Sequence, residues 1–390
     1  MSGFKSSGLG DFEDYFIHNV DYINKYAYGQ VFMAGAGTDG LLGRTNQTHR
    51  SSPIQILAGG VTWNDVSTRD KFACAIKTDG TLWLWGNNLY GQLGQNNVTH
   101  RSSPVQVYGG GSWQSVSQGV FFTSAIKTDG TLWLWGSNAY GQLGQNNITN
   151  KSSPVQILGG GKWKSVSAGD FYVCAIKDDN SLWSWGYNLL YELGIGGGTA
   201  NSKSSPVQVY GGTKDWKMIS CGYHTTAAIK FDGTLWTWGQ NYWGSLGSNT
   251  PVTYGFSPEE IYGGGTDWKS ISSGLCMAAI KKNGTLWTWG YASLGGLGTN
   301  NLIDRSSPVQ TVTGGTNWRH VFNRGYTVFA IKTDGTLWGW GDNSYGQLGV
   351  NDTVTRSSPI QVSSSTNWKS VGSGSMSAIF LQYIDFDQTL

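Results

Sequence analysis

Short runs in which hydrophobic and polar residues alternate recur along most of the chain. Two of them, AIK and TLWLW, are rich in β-branched and aromatic residues and are separated by Asp-Gly, as at Asp79-Gly80. This pattern predicts two strands joined by a tight hairpin, because Asp-Gly readily adopts a positive φ. A third run, PVQV, begins with a proline that lacks a backbone N–H, which suits a strand start or an edge strand. The run W-x-x-V-S-x-G predicts a fourth strand, whose small residues favour the innermost position.

A Trp-Gly pair closes the third strand of each unit and marks a repeat of about fifty residues. The pairs are Trp85-Gly86, Trp135-Gly136, Trp185-Gly186, Trp238-Gly239, Trp289-Gly290 and Trp340-Gly341. Gly35, at the end of VFMAG, closes a seventh and degenerate copy. Four antiparallel strands in a unit of this length are typical of a propeller blade.

The two ends of the repeat region hold complementary parts of one blade. The chain enters the pattern in a third strand, at VFMAG, and leaves it after a first and a second strand, at Trp368 and at 377–380. We therefore predict an all-β fold, a seven-bladed β-propeller of four-stranded antiparallel blades, with the ring closed by pairing of the N- and C-terminal strands. The predicted domains are a leader at 1–28, the propeller at 29–382 and a tail at 383–390.

Composition narrows the class of protein. The chain has 390 residues, with 58 Gly, 20 Trp and 19 Tyr, and a formal net charge of +2. So many aromatic residues argue against disorder, and the near-neutral charge argues against general binding to nucleic acid. No apolar run is long enough for a membrane-spanning helix, and the N-terminal residues do not have the pattern of a signal peptide. We expect location in a virion or in the cytoplasm, with no membrane insertion and with four free, buried cysteines.

The repeat carries a recognisable set of motifs. They are N-x-Y-G-Q-L-G at 88–94, 138–144 and 343–349, the S-P-x-x-V segment, and the hairpin A-I-K-T-D-G-T-L-W-x-W-G. With these motifs the chain resembles the regulator of chromosome condensation repeat family over about residues 29–382. The resemblance implies a seven-bladed propeller. Members of this family include a nucleotide exchange factor for a small GTPase, a plant ultraviolet-B photoreceptor, and many adaptor and bacterial proteins. The resemblance therefore also implies a function of one of these kinds.

The chain lacks the sequence features of two of these functions. The photoreceptor's Gly-Trp-Arg-His-Thr motif is absent, since His224 follows Tyr223, and no unit carries the exchange factor's protruding insertion or basic tail. The near-identical units resemble bacterial and phage versions, and the leader resembles those of phage virion proteins. The leader places Phe12, Phe16, Val20 and Ile23 at near-helical spacing, which suits either a cap on the propeller or a docking peg.

Strand parity sorts the loops onto two faces. The Asp-Gly hairpins and GGG links define a hairpin face; the turn after the innermost strand and the long loop before Ser-Ser define a loop face. The loop face carries aromatic and basic residues, and positions where one unit departs from the others. The candidate partner-binding residues are Arg69, Lys71, Phe122, Tyr172, Tyr223, His224, Trp243, Arg324, Arg101, Arg305 and Arg356. They suit an acidic or glycan partner, whereas a solvated rim and drift between copies are the alternative explanations.

Catalytic and metal-binding patterns are missing from the sequence. The five histidines are scattered, and there is no nucleophile elbow or phosphate loop. We expect no enzyme activity, cofactor or metal. The favoured function is a binding or structural propeller in a larger particle such as a phage virion, contacting other protein subunits and a cell-surface glycan, without specific nucleic-acid binding. The alternatives are a guanine-nucleotide exchange regulator of a small GTPase and a soluble lectin.

Overall fold

The computed structural model describes residues 29–57, 60, 62–198 and 200–384. Its strands form seven four-stranded antiparallel sheets, which confirms the predicted seven-bladed propeller. The leader residues Phe12, Phe16, Val20 and Ile23 lie outside the described residues, so their docking role stays a prediction.

The strands follow the repeat closely. In chain order they are β1 (Gly29–Gly35), β2 (Arg50–Gln55), β3 (Trp63–Arg69), β4 (Phe72–Lys77), β5 (Leu82–Gly86), β6 (Arg101–Gln106), β7 (Trp113–Gln118), β8 (Phe122–Lys127), β9 (Leu132–Gly136), β10 (Lys151–Gln156), β11 (Trp163–Ala168), β12 (Tyr172–Lys177), β13 (Leu182–Gly186), β14 (Lys203–Gln208), β15 (Trp216–Cys221), β16 (Thr225–Lys230), β17 (Leu235–Gln240), β18 (Tyr254–Glu260), β19 (Trp268–Ser273), β20 (Cys276–Lys281), β21 (Leu286–Gly290), β22 (Arg305–Gln310), β23 (Trp318–Arg324), β24 (Thr327–Lys332), β25 (Leu337–Gly341), β26 (Arg356–Gln361), β27 (Trp368–Ser373) and β28 (Ser377–Tyr383).

Blade 1 closes the ring, because it combines strands from both ends of the chain. Its strand order is β2-β1-β28-β27, and β1 pairs with β28 from Gly29–Tyr383 to Gly35–Ser377. Blades 2 to 7 are each built from four consecutive strands, β3–β6 through β23–β26. The predicted closure is therefore confirmed, and this sheet has no gap between the first and the last strand.

The innermost strands are those that begin with W-x-x-V-S, as predicted from their small residues. Serine hydroxyls link neighbouring inner strands, because each accepts a hydrogen bond from a backbone N–H of the next blade. The pairs are Ser117–Ala168 (2.9 Å), Ser167–Cys221 (2.9 Å), Ser220–Ser273 (2.9 Å) and Ser272–Asn323 (2.8 Å). A serine at this position therefore holds adjacent blades in register.

The tryptophan of each Trp-Gly pair joins its blade to the preceding one. These six indoles are fully buried, and each N–H donates to a carbonyl in the long loop of the neighbouring blade. The pairs are Trp85–Leu41, Trp135–Gln92, Trp185–Gln142, Trp238–Glu192, Trp289–Ser245 and Trp340–Gly296, at 2.8 to 3.0 Å. Each buried indole hides about 200 Å², worth about 5 kcal/mol of hydrophobic stabilisation.

Turn geometry explains the polar residues on the hairpin face. In blade 2 the Asp79 carboxylate accepts hydrogen bonds from the backbone N–H (2.9 Å) and hydroxyl (2.6 Å) of Thr81. These bonds lower the pKa of Asp79. Lys77 places its ammonium over the rings of Trp63 and Trp83, at 5.1 and 4.3 Å. The arrangement recurs around the ring, so these charges stabilise the hairpins.

Cys74, Cys174, Cys221 and Cys276 are all buried free thiols, as expected. Within the described ranges the helical structure amounts to one short turn, Thr38–Gly40, and no helix there has the length and hydrophobicity to cross a membrane.

Candidate partner-binding face

The loop face is rigid because its long loops are internally hydrogen-bonded. In blade 2 the Asn88 side-chain amide donates to the carbonyls of Asn97 and Thr99, both at 3.0 Å, and its oxygen accepts the Leu93 N–H at 2.9 Å. The Gln92 side chain accepts the Tyr90 N–H at 2.9 Å. The N-x-Y-G-Q-L-G motif thus fixes its own loop and presents neighbouring side chains on a firm support.

Two candidate arginines lie inside the ring rather than on its surface. Arg69 replaces the glycine at the end of β3 and forms a buried ion pair with Asp170 of blade 4. Arg324 donates from β23 to the carbonyls of Gln118, at 2.9 Å, and Ala168 across the ring. Burial and then the nearby charge of Arg324 lower the pKa of Arg69 to about 9. Arg69 therefore links blade 2 to blade 4, and Arg324 links blade 7 to blades 3 and 4, so neither guanidinium group is free for a partner.

Phe122 and Tyr172 are fully buried, so their assignment to a partner-binding surface is wrong. Each begins a second strand opposite a glycine, Gly136 or Gly186, which leaves room for the aromatic residue to pack inward. The Tyr172 hydroxyl donates to the Thr225 carbonyl at 3.1 Å. The preceding residues, Phe121 and Phe171, are the half-exposed rings of these turns.

Glu192 and His224, two departures from the repeat, meet between blades 4 and 5. The His224 Nδ1 atom lies 2.7 Å from the Glu192 Oε1 atom, and the carboxylate is completely buried. Its other oxygen accepts the Leu190 N–H at 3.0 Å, as glutamine does in the equivalent loops. The buried carboxylate thus fixes the histidine ring beneath Tyr223, which is 45% exposed and 4.5 Å from it.

A separate chain of aromatic residues extends over blades 4 to 7, from Tyr191 to Tyr326. Trp243 is half-buried and lies 5.0 Å from Tyr291, whereas Tyr242 is 53% exposed and hydrogen-bonds to Tyr254 at 2.6 Å. Tyr291 in turn lies 5.8 Å from Tyr326. We call the following residues the aromatic sector: Tyr191, Tyr242, Trp243, Tyr254, Phe256, Tyr291 and Tyr326. Trp243 therefore supports this surface, and Tyr242 is its more accessible ring.

Sequence reasoning missed Tyr191 and Phe256, whose rings are 4.4 Å apart. Tyr191 has a φ of +65° at a position where the other loops have glycine, as at Gly91. In the other loops the glycine packs closely against a serine of the next blade. A Cβ added to Gly91 would lie only 2.5 Å from the Ser152 Cα, so a side chain does not fit there. Phe256 replaces that serine, so two changes far apart in sequence produce one contact. A left-handed tyrosine is strained, and such strain concentrates at functional sites.

The basic candidates form a half-buried ring at the start of the fourth strands. Arg356 is paired with Asp352 at 2.5 Å. The equivalent residues form no ion pair with any carboxylate among the described residues: Arg50, Arg101, Lys151, Lys203 and Arg305. Lys71 is exposed on the same face. The loop face therefore combines unpaired positive charge with exposed aromatic rings.

Comparisons with known proteins agree with the repeat. Residues 25–312 match the family profile described as the RCC1-like domain, and residues 334–381 match the regulator of chromosome condensation (RCC1) repeat. The ultraviolet-B receptor UVR8 of Arabidopsis thaliana is 32% identical over 158 residues, 37% of this chain and 34% of the receptor. Human HERC6, a probable E3 ubiquitin-protein ligase, is 30% identical over 158 residues, 38% of this chain and 15% of the ligase. The chain thus matches about a third or less of either relative.

Solved structures show the same fold. Human WBSCR16 superposes with a TM-score of 0.79 at 20% identity, covering 91% of this chain and 98% of WBSCR16. Yeast RCC1 (Prp20), crystallised with Kap60, superposes with a TM-score of 0.82 at 15% identity, covering 100% of this chain and 97% of Prp20. At these identities the likeness establishes the architecture alone.

Proposed function

The chain belongs to the RCC1-like domain family. On that premise we propose that the protein is a non-enzymatic propeller that binds an acidic protein partner through its loop face. The observation that carries the proposal is the aromatic sector, where Tyr191 and Phe256 break the repeat together. The fold does not require this pair, since the other blades use glycine and serine at these positions. A binding surface explains why strain is tolerated there.

The chemistry of the face suits a protein partner. Tyrosine, tryptophan and arginine dominate the residues that carry binding energy in protein interfaces. Tyr223, Tyr242 and Phe256 are each about half exposed; the first two lie in hydrogen-bonded turns and Phe256 lies in strand β18. Exposed rings on a fixed support lose little conformational entropy on binding.

The unpaired basic residues favour an acidic partner. Arg101 and Arg305 lie at the edge of the face without a carboxylate partner among the described residues. Such charges steer an acidic surface toward the site and suppress basic competitors. We therefore expect the association rate to fall as salt concentration rises.

We place this binding in a larger assembly, with the phage virion as the specific candidate. The regular blades and the leader at 1–28 support this choice, because such a chain can display loops while its leader anchors it. Yeast Prp20, which shares the fold, has binding properties toward Gsp1p and histones. Regulation of a small GTPase, which the family resemblance implies, is the second candidate, and a lectin that stacks a sugar on the aromatic sector is the third.

A reversal to the repeat consensus tests the proposal. The double substitution Tyr191→Gly and Phe256→Ser restores the residues that other blades carry, so the fold should tolerate it. Tyr108→Ser is the matched control, because Tyr108 is 61% exposed in blade 2, away from blades 4 and 5, and the equivalent position in blade 7 is Ser363. Full-length protein and both variants would serve as baits in the native source, with quantitative mass spectrometry.

We expect a stoichiometric, acidic protein to be lost from the double variant and kept by the control. Retention of every partner by the double variant would contradict the proposed surface. Recovery of a GTPase together with faster nucleotide release would favour the exchange regulator. Binding to a glycan array that Trp243→Ala abolishes would favour the lectin.

A further inference from the structure

Two of the four cysteines meet at the boundary between blades 4 and 5. Cys174 lies in the second strand of blade 4, and Cys221 ends the innermost strand of blade 5. Both belong to one hydrophobic cluster and are almost completely buried. The Cys221 N–H donates to the Ser167 hydroxyl at 2.9 Å, and Ser167 is the cross-strand partner of Cys174. The two side chains are therefore close enough for each thiol to shift the pKa of the other.

Their surroundings make the two thiols chemically different. Burial opposes ionisation of Cys221, but hydrogen bonds from Cys174 and Ser167 and the charge of Arg324 outweigh it, so its pKa lies below the ordinary value. Burial raises the pKa of Cys174 well above that value, and its interaction with Cys221 adds to the effect. Burial also raises the pKa of Cys276, to about 12. A thiol that ionises more readily, beside a second thiol that ionises less readily, is the arrangement of a reactive and a resolving cysteine.

We propose that Cys221 and Cys174 form a peroxide-sensitive site that closes into a disulfide between blades 4 and 5. The Cys221 thiolate attacks one oxygen of hydrogen peroxide, the O–O bond breaks, and the departing hydroxide takes up a proton to become water. Cys221 is then a sulfenic acid. The Cys174 sulfur attacks the Cys221 sulfur, the S–O bond breaks, and a second water leaves with the Cys174 proton. Two thiols and one peroxide thus give one disulfide and two waters.

The position of the pair favours a small oxidant. Cys221 lies near the ring axis, close to the guanidinium of Arg324, and its side chain is about 2% exposed. The Gln118 Oε1 and Arg69 Nη1 atoms are buried on the inner side of the ring without a hydrogen-bond partner, so they offer contacts to a small polar molecule. A bulky oxidant such as a glutathione disulfide should therefore react more slowly than hydrogen peroxide.

The repeat supplies substitutions that the fold should tolerate. Alanine stands at the position of Cys174 in blades 5 and 6, as Ala227 and Ala278, and at the position of Cys221 in blade 4, as Ala168. Cys174→Ala and Cys221→Ala are therefore the test variants. Cys74→Ala is the matched control, because Cys74 is equally buried and shares the strand position of Cys174.

The experiment treats full-length folded protein with hydrogen peroxide, blocks remaining thiols with an alkylating agent, and maps peptides without reduction. We expect a linked Cys174–Cys221 peptide in the wild type and in Cys74→Ala, with Cys276 unoxidised. In Cys174→Ala we expect dimedone to trap a sulfenic acid at Cys221, whereas Cys221→Ala should show neither product. Cys221 should react at least about tenfold faster than Cys276, because the thiolate is the reactive species.

Several results would overturn the proposal. One is the absence of the linked peptide from folded wild-type protein under conditions that oxidise a free thiol reagent. Another is equal oxidation of all four cysteines, which would indicate unfolding rather than a site. The wild-type measurement decides the question even if a variant fails to fold.

Discussion

Phe380 fills, from the neighbouring strand, the space that Ala34 leaves open in the closing blade. Ala34 stands where the other six blades carry the tryptophan of the Trp-Gly pair, and Phe380 stands where they carry an alanine. The Phe380 ring lies 5.8 Å from Trp368, as Trp135 lies 5.7 Å from Trp113 in blade 3. The closing blade thus keeps the aromatic contact with the large and small residues exchanged between strands.

This exchange predicts a compensating pair of mutations. Phe380→Ala should lower the free energy of unfolding by about 3–5 kcal/mol, because it leaves a buried cavity. Adding Ala34→Trp restores the arrangement of the other blades and should recover part of the loss. Urea unfolding followed by fluorescence measures both. An unchanged unfolding midpoint in Phe380→Ala would show that the ring contributes nothing to closure.

The two tryptophans of one strand should differ in their contribution to stability. Trp135→Phe removes a fully buried indole that donates to the Gln92 carbonyl at 2.8 Å in the preceding blade. Trp133→Phe removes a half-buried indole that donates locally to Thr131. We expect Trp135→Phe to cost roughly 2 kcal/mol more. Equal losses in thermal unfolding would contradict a role between blades.

Replacing one partner of the Arg69–Asp170 ion pair should lower the free energy of unfolding more than replacing both partners. Asp170→Val leaves a buried guanidinium without its carboxylate, which should destabilise the fold by about 3–5 kcal/mol. The double variant Arg69→Gly and Asp170→Val carries the residues of blade 3, Gly119 and Val120, and should recover most of that stability. A double variant no more stable than Asp170→Val alone would rule out this explanation.

His320 and Asp65 occupy equivalent positions in two blades, and they should make the free energy of unfolding depend on pH in opposite directions. Burial, with the charges of Arg319 and Lys269, lowers the pKa of His320 to about 4. As the pH falls, this histidine is therefore protonated in the unfolded chain before it is protonated in the folded chain. About 3 kcal/mol of stability is lost as pH falls from 6.5 to 4. Burial raises the pKa of Asp65 to about 6, although Lys369 opposes it. The folded chain takes up that proton first, so stability rises by about 3 kcal/mol as pH falls from 6 to 3.8.

Serine occupies the same position in four other blades, so His320→Ser and Asp65→Ser should fold. We expect His320→Ser to be less acid-sensitive than the wild type and Asp65→Ser to be more so. Urea midpoints at pH 7 and pH 4.5 measure the difference. The same acid sensitivity in both variants would contradict the assignment.

The architecture could be predicted from sequence because its causes are local and repeated. The Asp79-Gly80 turn, the alternation in each hairpin and the Trp-Gly pairs act over a few residues, and seven copies reinforce one another. The incomplete units at VFMAG and Trp368 also predicted the closure, since each end carries what the other lacks.

The candidate site could be predicted only in part, because it depends on contacts between blades. Arg69 is visible in the sequence as a departure from the repeat, but its pairing with Asp170 follows from the curvature of the ring. The inward rotation of Phe122 depends on Gly136 in a neighbouring strand. Tyr191 and Phe256 meet across a blade boundary, and the available signal was that both consensus residues change together.

The pairing of β1 with β28 also determines what happens while the chain is being synthesised. β1 leaves the ribosome early, but its partner is the last strand of the ring to be made. Until then β1 has an unpaired edge, and blades 2 and 7 have no neighbour on one side. Every intermediate length is therefore an open arc with exposed strand edges, which favours aggregation or chaperone binding. A product that stops before residue 377 should be cleared by proteolysis rather than persist as a smaller propeller.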